Sequence, residues 1–329
     1  MTRKHSISRY SGIGVRIAPL MLVALMLAAS TQAVATSEQS SMWHVARTGG
    51  DGGVLGALEM ALTNETTDGE ITLEYSEMAP VIEVYTATWC LNCVTTEHAI
   101  DEAVGDSDVI RIHYHRHRAE PEDPFGNNAT EHRWESTYGG ASTAETGMSR
   151  VAPSTVFDGE RLHLGTSPSS SSLVSDYSTS LNAGQTSFTG SALLSVNSYD
   201  SETRIMQFSW NASQPSDPES GDSPIILTTW LLFVEDSASF PDGSNGIGDY
   251  LHVLHDAIEL NGLEGTGLAQ VPAAWDGDDV SVLLLIDWSS PAIDCCGSVW
   301  PSLPAPGIVT VMICFLAALL PSRRKRLST

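Results

Sequence analysis

Two cysteines three residues apart, Cys90 and Cys93, stand directly behind an alternating apolar run at 81–86 and ahead of a stretch, 94–104, with helical apolar spacing. A thiol at such a strand-to-helix junction faces unpaired backbone N–H groups and the positive end of the helix dipole. Its thiolate is therefore stabilised and becomes a nucleophile. The second thiol, one helical turn further in, is placed to attack a mixed disulfide formed on the first. Two other readings stay open, a structural disulfide and half of a zinc site. The chain has no second Cys-x-x-Cys pair, which disfavours zinc.

Around this junction the pattern reads as strands at 71–75, 81–86 and 109–115, helices at 94–104 and 128–138, and a hairpin over 154–164 turning at Asp158-Gly159. Strands alternating with helices predict an α/β layer over residues 71–185. A Ser-rich stretch at 166–180 marks a change of texture. Beyond it, alternating segments near 187–196, 204–210, 225–234, 251–258 and 280–288 lack clear helices, which predicts an all-β, sandwich-like domain over 186–290. Residues 36–70 form a poorly defined N-terminal segment, with a short strand at 42–46 and a helical patch at 55–62. The chain shows no internal repeat.

The run Thr88-Trp89-Cys90-x-x-Cys93, followed later by Val151-Ala152-Pro153-Ser154 and the Asp158-Gly159 turn, resembles the thioredoxin-like superfamily. The resemblance is closer to thioredoxin-like surface proteins of the Omp28 and DUF1223 type. It rests on Thr86 to Cys93, His113-Tyr114-His115, Asp123-Pro124-Phe125, Arg133 with Tyr138, and Pro153 to Gly159. It covers most of 71–290, firmly in the first half and loosely in the second. It implies an α/β thioredoxin-like domain followed by a β domain, a cis-proline at Pro153 that shapes a peptide groove and keeps metal off the thiols, and exchange with protein thiols and disulfides without a cofactor. Cys90 is then the attacking thiolate and Cys93 the resolving thiol, with Trp89 in support.

Two departures qualify this. The acidic residue buried six positions before the first cysteine in that superfamily falls on Val84, leaving the adjacent Glu83 as a supporting candidate. The residues between the cysteines are Leu91 and Asn92 rather than Gly-Pro. His113, His115 and His117 alternate, so on a continuing strand they share a face and are secondary candidates for copper or zinc; solvated histidines at a strand end are the commoner case. His252 and His255, three apart in a strand, fall on opposite faces and read as packing residues.

Charge and the chain ends bear on compartment. All 40 acidic residues lie between Glu38 and Asp294, a stretch holding only eight of the 16 basic ones and neither lysine. Such a field repels phosphate backbones and excludes a nucleic-acid partner. A 42% apolar content permits packed cores in a chain of 329 residues. Residues 1–35 read as a secretory signal peptide, an uncleaved anchor being the weaker alternative. A linker at 291–306 leads to an apolar stretch with Arg323-Arg324-Lys325-Arg326 behind it. That tail over 307–329 resembles either a tripartite sorting signal or a retained membrane anchor. Both place the body of the protein outside the cytoplasm, tethered to the membrane. Sequons at Asn64, Asn128 and Asn211 suit that compartment. Cys295 and Cys296 are open to a vicinal disulfide, an intermolecular link or a shuttle to the first pair.

The sequence thus supports a membrane-tethered extracytoplasmic thiol–disulfide oxidoreductase with an unidentified redox partner. The alternative is a non-catalytic surface binding or structural protein in which the cysteine pair is a structural bridge.

Overall fold

The computed structural model describes residues 42–118, 123–215 and 225–291, which build thirteen strands and three α-helices. The expected α/β thioredoxin-like domain followed by a separate β-sandwich is not the architecture observed. The described residues are mostly β, and one nine-stranded sheet runs through both halves in the order β1-β7-β6-β4-β5-β11-β10-β13-β2. Its first part is β1 (His44–Val45), β7 (Arg161–Leu164), β6 (Ser154–Phe157), β4 (Val81–Thr86) and β5 (Ile110–His115). The remainder is β11 (Asp249–Glu259), β10 (Ile226–Ser239), β13 (Val280–Pro291) and β2 (Gly50–Ala61). The joint is the parallel pairing of β5 with β11, at Val253 opposite His113. Strand β5 therefore does not close a sheet of its own. The second sheet is β12 (Glu264–Gln270), β9 (Ile205–Ala212), β8 (Ser191–Asp200) and β3 (Gly69–Glu74).

The segment expected to be poorly defined supplies a long edge strand instead. Leu55, Leu58 and Leu62 have helical spacing, yet 50–61 is β2, paired antiparallel with β13. Residues 52–58 of β2 are all buried, because the sheet is covered on both sides there. Period-2 alternation is lost when both faces are buried, so the strand does not announce itself.

Helices α1 (Leu91–Val104) and α3 (Leu173–Ala183) cover one face of the β7-β6-β4-β5 end, packing Ile100 and Tyr177 over Ile82, Val84 and Phe157. The four-stranded sheet covers the same side of β10, β13 and β2. The opposite face is the bed of α2 (Asn128–Thr146), where Trp134 stacks on Tyr85 with ring centroids 4.9 Å apart. Truncating a buried tryptophan of this kind costs about 3–5 kcal/mol. Asn127 caps α2 reciprocally with Thr130, and its amide nitrogen donates to the His255 carbonyl at 2.6 Å, tying the helix start to β11.

Among the described residues no helix is long and apolar enough to cross a membrane. The signal peptide, the linker and tail from 292 on, and Cys295, Cys296 and Cys314 lie outside the described residues. All three sequon asparagines are exposed.

Candidate functional site

Strand β4 is buried throughout and ends at Thr86; a tight turn, closed by the Cys90 N–H on the Ala87 carbonyl at 3.0 Å, delivers the chain to α1. Cys90 is the N-cap of that helix. Its sulfur accepts the Cys93 N–H at 3.2 Å and is disulfide-bonded to Cys93. Cys90 retains 7% exposure and Cys93 none, so of the two residues the first alone keeps any contact with solvent. Ala152, joined to Pro153 by a cis peptide as the resemblance implied, packs against the pair together with Ala87 and Trp89. The Arg116 guanidinium stands 5.2 Å over the Trp89 ring, which places a cation beside the junction.

The turn before Cys90 is held from two sides. The Thr88 N–H donates to Asp123 Oδ2 at 2.8 Å, and that oxygen lies 3.0 Å from His115 Nδ1. From the other side the Asn245 N–H donates to the Thr88 carbonyl at 3.1 Å. The Tyr250 hydroxyl sits 3.2 Å from the same carbonyl and 2.6 Å from Asn245 Oδ1. Asn245 and Tyr250 come from the loop and strand after β10, so the second half of the chain completes the site. The loop must pass close to do this: a Cβ on Gly243 would fall 2.0 Å from the Tyr250 hydroxyl oxygen.

Burial works against the Asp123 carboxylate, but His115 and the Thr88 and Phe125 N–H groups outweigh it and hold the group below its ordinary range. On α1, Glu97 accepts a hydrogen bond from the Thr86 hydroxyl at 2.7 Å. Desolvation pushes its carboxyl above the usual value, opposed by that bond and by His115. His113 is held well below the ordinary imidazole value by burial and by the neighbouring His252, His115 and Arg111.

The sequence candidates thus separate. Cys90, Cys93, Trp89 and Pro153 share one region. Glu83 does not join them: it points to the α2 face, where it accepts from the Tyr114 and Tyr138 hydroxyls and lies 3.4 Å from an Arg133 nitrogen. Val84 and Ile82 are the residues turned toward α1. His113 and His115 do face α1, opposite Val84 and Thr86. His117 has left the strand, is exposed, and gives its backbone N–H to Glu131 at 2.6 Å. The three histidines do not converge, and among the described residues no group of three or more His, Cys, Asp or Glu side chains could hold a metal. His252 lies in a β11 bend at φ 54°, its ring 5.6 Å from that of His113, while His255 Nε2 sits 2.5 Å from Glu235 Oε2.

Glu97, Asn245 and Tyr250 were missed. Glu97 had a signal, its place four residues after Cys93 on one helix. The other two had none, since nothing in the spacing brings 245–250 back to 88.

No protein-family model matches the chain, and no curated protein matches it. Among solved structures it is similar to protein AGR_C_4864 from Agrobacterium tumefaciens, at 12% identity and a TM-score of 0.35, over 62% of this chain and 77% of that one. It is also similar to HBP35 of Porphyromonas gingivalis, at 17% identity and a TM-score of 0.36, over 69% and 81% of the two chains. Likeness at this level carries no argument about this chain.

Proposed function

We propose that this chain is an extracytoplasmic, membrane-tethered thiol–disulfide oxidoreductase acting on protein thiols and disulfides. The observation that carries the reading is the asymmetry of the pair: Cys90 caps α1 with a little of its surface still exposed and a backbone N–H on its sulfur, and Cys93 is fully buried behind it. Starting from the dithiol, the Cys90 thiolate attacks a partner disulfide. A Cys90–partner S–S bond forms, the partner S–S bond breaks, and one partner sulfur leaves as thiolate. Cys93, once deprotonated, attacks Cys90 Sγ; the Cys90–Cys93 bond forms and the second partner thiolate leaves. The partner gains two electrons and the pair loses two, so no cofactor is required. The run Thr88-Trp89-Cys90 and the likeness of residues 151–159 to thioredoxin-like exchangers support this reading. The secretory and anchor patterns at 1–35 and 307–329 support the compartment.

The test is trapping. Cys93→Ser should accumulate a mixed disulfide through Cys90, and Cys90→Ser should abolish dithiol-dependent exchange. Full exchange activity in Cys90→Ser, read with a fluorescent disulfide-linked peptide, would sink the assignment.

A further inference from the structure

Resting on the redox reading, one question is left by the site: what takes the proton from Cys93. This thiol is fully buried and is the one that must become a thiolate for the second half of the reaction. It sits a turn inside α1, where the helix terminus acts on Cys90 more than on itself. Glu83, the acid suggested by the sequence, is on the far face of the sheet.

We propose that Glu97 is the proton acceptor for Cys93. The two residues stand at i and i+4 on α1, one above the other on the same helix face. The Thr86 hydroxyl holds the Glu97 carboxyl inward at 2.7 Å, against the last residue of the strand that leads into the Cys90 turn. On its outer side Glu97 borders a cavity of about 150 Å³ that it shares with His113, Arg111, Asp101 and Ile247. Glu97 therefore stands one helical turn from the buried thiol and borders a small open cavity. The groups that face or act on it are His98 and Asp101 of its own helix, His115, His113 and Arg111 of β5, and Asp249 and Tyr250 of β11. The His115 Nε2 atom is buried without a hydrogen-bond partner among the described residues and lies on the same side of the sheet. Desolvation raises the Glu97 carboxyl toward the range in which a thiol gives up its proton.

The step balances simply. The Cys93 S–H proton passes to the Glu97 carboxylate; the Cys93 thiolate attacks Cys90 Sγ; the partner leaves as thiolate; and the Glu97 carboxyl returns its proton to solvent through the cavity.

The test uses the full-length reduced chain carrying Cys295→Ser, Cys296→Ser and Cys314→Ser, so that Cys90 and Cys93 are its two remaining thiols, mixed rapidly with dithiobis(nitrobenzoate), an aromatic disulfide whose released thiolate absorbs visibly. Attack by Cys90 releases the first equivalent and resolution by Cys93 the second. In Glu97→Gln the first phase should keep its rate, while the second slows at least about tenfold and loses its inflection with pH. Glu97→Asp should recover part of the second phase, and Thr86→Val, which leaves the carboxyl unheld, should fall between. A second phase in Glu97→Gln with the parent chain's rate and pH profile would overturn the proposal while leaving the redox reading intact. A parent chain with no first phase would overturn the redox reading, and the role of Glu97 with it.

Discussion

The two faces of strands β4 and β5 carry opposite kinds of buried polarity. On the α2 face, Glu83 and Asp287 are matched by Arg133, Arg47 and the Tyr114 and Tyr138 hydroxyls; Arg133 reaches Asp287 at 2.7 Å and Arg47 does the same. Charges there are paired and held by several donors, so burial and Coulomb attraction settle into a fixed arrangement. On the α1 face, which carries the disulfide, stand Glu97, Asp123, His113 and His115, and among the described residues the Nε2 atoms of both histidines have no hydrogen-bond partner. Imidazole nitrogens left open on the side of the disulfide can take up or release a proton, whereas the open N–H groups of the α2 face, Arg133 Nε, Trp134 Nε1 and Trp230 Nε1, keep theirs, so that face serves to hold the sheet together. Successive residues of one strand alternate between these two tasks.

The largest effect expected from breaking this contrast is on the α2 face. Arg133→Met leaves two buried carboxylates short of their cation and should cost about 3–5 kcal/mol in urea unfolding. The same variant should leave the rate of Cys90 labelling unchanged, since Arg133 is across the sheet from the sulfurs. Tyr138→Phe removes one donor to Glu83 and should cost about 2 kcal/mol.

A pH series sharpens the contrast. His113 in the folded chain is held well below its ordinary 6.5, so the stability that comes from keeping it neutral is complete above that value and is lost as pH falls beneath it. Asp287 is held below its ordinary 3.8, with burial outweighed by Arg133 and Arg47; its contribution persists until pH falls below that value. Urea midpoints should therefore decline between pH 6.5 and 5 in the wild type and decline less in His113→Asn. Equal slopes in the two would contradict the account of the α1 face.

The smallest effect belongs to the clamp on the Cys90 turn. Tyr250→Phe should cost about 1 kcal/mol and alter the alkylation rate of reduced Cys90 measurably. An unchanged rate would show that the turn holds its shape without the second half of the chain.

How much of this was legible follows from how local each signal is. The strand Val81–Thr86, the helix behind it and the hairpin at 154–164 carry their own periodicity and turn residues, and all three formed where the pattern placed them. Helix α3 was hidden in a Ser-rich stretch. Its start is made by Ser172 accepting the Ser175 N–H and by Asp176 accepting from Ser169 and Ser170. Strand β12 shows no apolar alternation because Gly265 and Gly267 lie flat on the Trp210 and Phe208 rings, where a Cβ would come within 2.5 and 2.7 Å. The join of β5 to β11 sets residues 113 and 253 side by side, and no local pattern encodes a pairing across that distance. For the same reason the cysteines were readable as a candidate site from their neighbours alone, whereas the loop that grips Thr88 was not. Glu83 was assigned by proximity in sequence, and the two-residue period of a strand sent it to the other face.

The reduction potential of the Cys90–Cys93 pair, measured against a glutathione or dithiothreitol series on the full chain, tests the central claim most directly. The account predicts a value between about −270 and −120 mV, the range of working exchangers, together with a Cys90 thiol that titrates below the ordinary ~8.5. A potential below about −300 mV with thiols that resist labelling would mean a structural bridge, and the chain would then be a binding or structural surface protein rather than an exchanger.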